Sequence, residues 1–297
     1  MSTNDTLATD NPAILLGRIK LNFPEISWNN HAFINAGWDH EVIQLDDKYI
    51  FRFPKSPEYL SKLRDEIELL AYLGKRLETI IPQYLFIPQD YSFGGYSMIE
   101  GKSLEPELLK GIMNEPDLIA KGIATFLSEL HALNIEELTK FNVTTKLDFA
   151  GYGDVAVEAE KYLKPNLAPD HYKQIHTMLD KIEIAKRSLQ PACLIHGDLA
   201  PKHIIWKQKT KTIGLIDFSD RSISDPAYDL AELYSYGEAF VDKVYSLYES
   251  PYKNDLFLLR AKAYMQAIGI HSLVNAYRTD KIPLKEAEKL LSIGLTL

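Results

Sequence analysis

The stretch His196-Gly197-Asp198-Leu199-Ala200-Pro201-Lys202-His203, set between apolar runs, constrains this 297-residue chain more than any other. Before it, Ala192-Cys193-Leu194-Ile195 reads as a short buried strand; after it, Ile204-Ile205-Trp206 follows directly. Farther on, Ile213-Gly214-Leu215-Ile216-Asp217-Phe218 reads as a second buried strand ending on an acid. A loop thus presents Asp198 and a strand end presents Asp217 to a common cleft. Carboxylates so placed suit phosphoryl transfer, which needs positioned groups and charge neutralisation more than covalent help. Nucleotide-dependent transfer is the expectation the rest of the chain must meet.

Upstream, residues 1–12 read as a frayed leader, and residues 13–23 have helical apolar spacing that Pro24 stops. Three β-like segments follow at 31–35, 42–45 and 49–53, with an Asp46-Asp47 turn between the last two. The loop Ala36-Gly37-Trp38-Asp39-His40 offers backbone N–H groups for phosphates, although one glycine alone also fits an ordinary hairpin turn. Arg52 alternates with Phe51 and Phe53 and so points to the opposite sheet face. The spacing of Leu60, Leu63, Ile67 and Leu70 predicts a helix over Pro57–Leu73, with Glu66 beside the stripe. Alone, Glu66 reads as a solvated charge between Asp65 and Glu68; after a strand cation, it reads as the partner with which kinases hold phosphates. Strands are expected at 84–87 and 96–99, with a turn around Gly94-Gly95 and a hinge at Glu100-Gly101-Lys102-Ser103. That hinge divides the chain into residues 1–100, a nucleotide-binding lobe, and 101–297, a helical lobe with the catalytic loop and substrate site.

Helices are expected over 117–133, 155–163, 169–189, 240–248, 255–275 and 283–293, with a helix entry at 225–236 and a loop-rich connector at 139–154. His131 reads as a helix C-terminal residue satisfied by the dipole. Strands first and helices later argue for an α+β, bilobal, protein-kinase-like fold: an antiparallel sheet lobe, then a mostly helical lobe. The formal charge of −8 disfavours nonspecific nucleic-acid binding and suits a cationic small ligand. Cys193 is the sole cysteine, which rules out an intrachain disulfide or a cysteine metal cluster. No window approaches the ~18 apolar residues of a membrane span, and residues 1–11 lack a secretory pattern. A cytoplasmic monomer with no nucleic-acid or membrane partner is expected.

Together the motifs resemble the aminoglycoside phosphotransferase family, relatives of protein kinases, over roughly residues 30–275. His196-Gly197-Asp198 resembles its catalytic loop. Ile216-Asp217-Phe218-Ser219-Asp220, with Asp217 nineteen residues past Asp198, resembles its metal-binding segment, and Asp225-Pro226-Ala227-Tyr228-Asp229 the sequence after it. Gly37-Trp38-Asp39 and Tyr49-Ile50-Phe51-Arg52-Phe53-Pro54-Lys55 are most similar to the 2″-type aminoglycoside kinases. The resemblance implies Asp198 as catalytic base, His203 and Asp217 as ligands of Mg²⁺, and ATP or GTP as donor. It places Gly37, Asp39, Arg52, Glu66, Met98, Ile99 and Ile216 on the nucleotide. Asp220, Glu232 and Glu238, with Tyr264 as an aromatic rim, are the candidates for a cationic aminoglycoside. The chain departs from the common kinase pattern at His203, where Asn is usual and where some 2″-type and macrolide kinases also place His. It departs again at Arg52, where Lys is usual; Lys55 is a substitute on the other sheet face. A macrolide 2′-phosphotransferase and a non-catalytic nucleotide-binding pseudokinase are the competing readings.

Overall fold

The computed structural model describes residues 11–35, 39–111, 115–188, 192–279 and 282–297, so the expectations for residues 1–10 and for Gly37 lie outside the described residues. Asn11 caps α1 (Pro12–Asn22) by accepting a hydrogen bond from the Ala13 amide (3.0 Å). Next come β1 (His31–Ile34), β2 (His40–Leu45), β3 (Tyr49–Pro54), α2 (Pro57–Leu73), β4 (Tyr84–Phe86) and β5 (Gly94–Ser97). The strands form one antiparallel sheet in the order β1-β2-β3-β5-β4. Alternation along β3 does what the sequence predicts. Phe51 and Phe53 join Leu15, Ile19, Ile43 and Phe93 in an apolar cluster under α1, and Arg52 turns to the other face. The Ser56 hydroxyl caps α2, which buries Leu63, Ile67 and Leu70 and leaves Leu60 half-buried. Glu66 is 2% exposed, so it is no solvated helix charge.

Gly94 and Gly95 do not make the expected turn; they open β5. Each lies under an aromatic ring: a Cβ at Gly95 would stand 2.4 Å from the Phe51 ring, and one at Gly94 2.7 Å from the Tyr84 ring. The strand therefore starts earlier than predicted and ends at Ser97, leaving Met98 and Ile99 in the segment that follows.

The chain then enters a three-stranded antiparallel sheet through β6 (Lys102–Ser103), which pairs with β8. It continues through α3 (Pro106–Gly111), α4 (Pro116–His131), α5 (Ile135–Leu138), α6 (Val155–Tyr162), α7 (Pro169–Lys186), β7 (Cys193–Ile195), β8 (Ile204–Lys207), β9 (Thr212–Leu215) and β10 (Ser222–Ser224). It closes with α8 (Glu238–Leu247), α9 (Phe257–Thr279) and α10 (Leu284–Leu295). Strand β10, absent from the sequence reading, pairs with β7. The strand read as running to Phe218 stops at Leu215, and Asp217 has a left-handed backbone (φ 65°). In place of one helix at 225–236 there are two 3₁₀ segments, Pro226–Leu230 and Glu232–Tyr236. Leu69, Leu70, Tyr72 and Leu73 of α2 belong to the same core as α4, α8 and α9, so α2 is shared between the sheet lobe and the helical part.

Gly95→Ala forces its new methyl group against the Phe51 ring and should lower stability by about 1–3 kcal/mol, read as a drop in the denaturation midpoint. Gly17→Ala, on α1 with open space around it, is the control and should be neutral or stabilising by about 0.5–1 kcal/mol.

Candidate active site

Strand β7 delivers His196 to the cleft, and Gly197 turns the chain with φ 83°. A Cβ there would stand 2.2 Å from the Asp220 carbonyl oxygen, so only glycine lets the two loops meet. His196 Nε2 donates to the Ile216 carbonyl (3.1 Å) and Nδ1 accepts from the Asp198 amide (3.3 Å). A carbonyl only accepts, so these partners set the tautomer. Burial holds the imidazole below its usual pKa, and it stays a neutral strut between the loops. Asp229 anchors the loop's backbone: its carboxylate accepts from the amides of His196 (2.8 Å) and Gly197 (2.9 Å). His131 is no dipole-satisfied helix end. It is buried between Asp229 Oδ2 (3.2 Å from Nε2) and the Tyr248 hydroxyl (2.7 Å from Nδ1), and it fixes the anchor. Asp229 stood in a recognised motif, whereas no local pattern tied His131 to it.

One 3₁₀ turn, Pro201–His203, swings His203 back over Asp198. Its Nδ1 donates to the Asp198 carbonyl (2.9 Å), which leaves Nε2 facing Asp217 Oδ2 at 3.5 Å. Ligand atoms of Asp198, His203 and Asp217 all lie within 4.8 Å of one another. Asp217 Oδ1 is buried without a hydrogen-bond partner. Two hard carboxylates, one with an oxygen that takes no hydrogen bond, and one imidazole nitrogen fit a divalent cation. Burial alone would raise the Asp217 carboxyl, but Arg52, His203 and a hydrogen bond from Ser219 outweigh it and keep it ionised well below the usual range.

On the sheet side, Arg52 meets Glu66 as predicted and does more. Its Nη1 donates to Glu66 Oε1 and to the Tyr84 hydroxyl (3.1 Å). Its Nη2 donates to Ser219 Oγ (2.7 Å) and His40 Nδ1 (3.2 Å) and lies 3.7 Å from Asp217 Oδ1. Four acceptors thus match the four terminal N–H bonds, a demand a lysine ammonium would not make. Lys55 instead donates to the Asn35 carbonyl (3.1 Å). Asp39 hydrogen-bonds Tyr59, and burial raises its carboxyl.

Across the loop, the half-buried Glu232 reaches Asp198 closely enough to share a hydrogen bond, and burial followed by Asp198 pushes its carboxyl well above the usual range. Asp220, 3.8 Å from Lys146, is raised by desolvation and by the charges of Asp198, Asp217 and Asp39. Tyr152, which the sequence reading missed, and Tyr228, which stood in a recognised motif without a role, join hydroxyls at 3.2 Å and feel the charges of Glu232 and Asp198. Tyr264 is not a rim: it is 2% exposed, stacked on Phe149 (4.1 Å), and donates to Asp225 Oδ2 (3.2 Å). Glu238 is exposed and ion-paired with Lys262 of α9. Met98 and Ile99 border a cavity of about 390 Å³ with Ile80, Leu85 and Lys207. Ile216 bridges the loops through its carbonyl to His196 and its amide to the His203 carbonyl (3.0 Å).

The model of the phosphotransferase enzyme family matches residues 31–261. Among solved structures, the GDP and kanamycin complex of APH(2″)-IIia is similar at 25% identity, over 95% of this chain and 98% of that one, with a TM-score of 0.79. The GDP complex of wild-type aminoglycoside 2′-phosphotransferase-IIIa is similar at 25% identity, over 97% and 99%, with a TM-score of 0.80. Macrolide 2′-phosphotransferase MphH from Brachybacterium faecium shares the fold at 16% identity, over 94% and 97%, with a TM-score of 0.67.

The charges around His40 set a pH dependence. Burial and Arg52 hold its imidazole neutral, down to a pKa of about 2. The unfolded chain takes up that proton near pH 6.5, so the contribution to stability is complete above pH 6.5 and declines as pH falls below it. At pH 5 the loss is about 2 kcal/mol, at 1.36 kcal/mol per unit. His196 contributes in the same sense. In denaturant titrations at pH 7 and pH 5, His40→Asn should therefore show a difference about 2 kcal/mol smaller than the unchanged chain.

Proposed function

Since the chain belongs to the phosphotransferase enzyme family, we propose that it is a small-molecule O-phosphotransferase moving the γ-phosphate of ATP or GTP to a hydroxyl of an aminoglycoside, with 2″-type regiochemistry. The observation that carries this reading is the convergence of Asp198, His203 and Asp217 within 4.8 Å on a backbone anchored by Asp229. Asp198 accepts a hydrogen bond from the acceptor hydroxyl, orients it in line and takes its proton as the new bond forms. Asp217 and His203, with Asp198 beside them, would hold Mg²⁺, which when bound supplies charge neutralisation at the phosphates. Residues 1–100, through Arg52 and Glu66, serve the nucleotide; residues 101–297 serve the acceptor. The carboxylates of Glu232 and Asp220 beside Asp198 favour an acceptor bearing ammonium groups, which would relieve their mutual repulsion. GDP in the two similar structures at 25% identity, and kanamycin in one, support the donor and acceptor classes.

A macrolide acceptor is the second reading. It is favoured by the Tyr152–Tyr228 pair at the cleft and by the neutralisation of Glu238 by Lys262. The complete set of acid and metal-binding groups speaks against a non-catalytic pseudokinase. None of the described helices is long and apolar enough to cross a membrane. In our reading the protein acts as a cytoplasmic monomer and its activity confers antibiotic resistance.

Purified protein with Mg²⁺ and either ATP or GTP should phosphorylate at least one member of an aminoglycoside panel. Transfer only to macrolides would select the second reading, and transfer to neither would end both antibiotic readings. Asp198→Asn should lower kcat about 10²–10⁴-fold with little change in nucleotide KM. Chelation with EDTA should abolish turnover, and Mg²⁺ should restore it.

A further inference from the structure

Arg221 lies four residues past Asp217, and no local pattern marks it. Its side chain is buried, at 8% exposure for the residue. Nη1 donates to the Phe218 carbonyl (3.0 Å) and lies 3.5 Å from Glu66 Oε2; Nη2 donates to the Lys62 carbonyl (3.2 Å), one turn earlier on α2. Glu66 therefore meets a different arginine at each oxygen. Oε1 takes Arg52 and the Tyr84 hydroxyl (2.9 Å), and Oε2 faces Arg221. The contacts close on themselves: Asp217 to Arg52, Arg52 to Glu66, Glu66 to Arg221, and Arg221 to the carbonyl of the residue after Asp217. Two arginines and two carboxylates balance in charge around this ring.

A carboxylate held at one oxygen can still turn about its Cγ–Cδ bond; held at both, its plane is set. That matters because the four bonds of Arg52 lie on one rigid plane, so a turn of Glu66 that drew Nη1 with it would also disturb the bonds to Tyr84, His40 and Ser219. We propose that Arg221 is a positioning residue: it fixes the plane of Glu66 and pins α2 to the Asp217 loop, so that Arg52 stands correctly oriented beside the nucleotide's phosphates. This rests on the phosphotransferase reading above. It also explains how an arginine serves where a lysine is usual, because a point charge would not need its carboxylate held in plane.

The test measures Mg²⁺–ATP and Mg²⁺–GTP binding by titration calorimetry on the full chain, with thermal melting as the check on folding. Arg221→Gln should melt cooperatively and weaken nucleotide binding about tenfold, and Arg221→Lys should recover part of the loss. In an Arg52→Lys background, Arg221→Gln should change binding less than about twofold. Equal losses in the two backgrounds, or unchanged binding in Arg221→Gln, would overturn the proposal. Should Arg221→Gln fail to fold, the comparison passes to Arg221→Lys, expected to weaken binding only where Arg52 is present; an equal effect in both backgrounds again overturns it. Failure of the unchanged chain to bind either nucleotide ends the phosphotransferase reading and this proposal with it. Nucleotide binding that is indifferent to Arg221 ends this proposal alone.

Discussion

A loop that carries reactive groups between strands leaves its own amides without ladder partners, and buried amides need acceptors. Asp229 meets that need for His196 and Gly197 with one carboxylate. Hydrogen bonds to a charged acceptor are worth about 1.5–3 kcal/mol each, and an unpaired buried carboxylate costs several. The arrangement is therefore stable only if Asp229 is itself held, which His131 and Tyr248 accomplish from α4 and from the end of α8. The positions of Asp198 and His203 follow from that anchor, and with them the geometry toward Asp217. Three distant segments of chain thus fix one backbone turn.

Around this turn the charges are arranged unevenly. The sheet side balances Arg52 and Arg221 against Glu66 and Asp217. The opposite side gathers Asp198, Asp220 and Glu232, and burial and repulsion raise the carboxyls of Asp220 and Glu232. Like charges this close are tolerated when a proton, a metal ion or a cationic ligand lies between them. The cleft therefore accommodates negative charge where it is already neutralised and attracts positive charge where it is not.

Much of this was legible in the sequence because it depends on local period. Alternation in β3 separated Arg52 from Phe51 and Phe53, and helical spacing gave the bounds of α2. Spacing along the chain also paired Asp198 with Asp217. The misreadings share a different cause. Gly94-Gly95 looked like a turn because glycine marks both turns and close approach, and the rings that decide between them lie on β3 and β4. Tyr264 looked like a rim because an aromatic on a helix gives no sign of whether Phe149 covers it. Strand β10 is Ser-Ile-Ser, three residues whose pairing is set by β7 on one side and by residues 144–146 on the other, both distant in sequence. His131 and Arg221 act on partners 98 and 155 residues away, a separation at which periodicity carries no information.

The burial of α2 also has a mechanical side. Its middle faces the sheet through Glu66 and Ile67, while Leu69, Leu70, Tyr72 and Leu73 nearer its end sit in the core of the helical part. Such a helix works as a rivet through both plates. Separating the lobes along their whole contact would expose those four side chains, at about 1.5–3 kcal/mol for each large apolar group. A change in the angle between the sheet and the helical part that turned about α2 would keep those four side chains covered. How readily the two parts could change that angle would depend on how stiffly α2 is held.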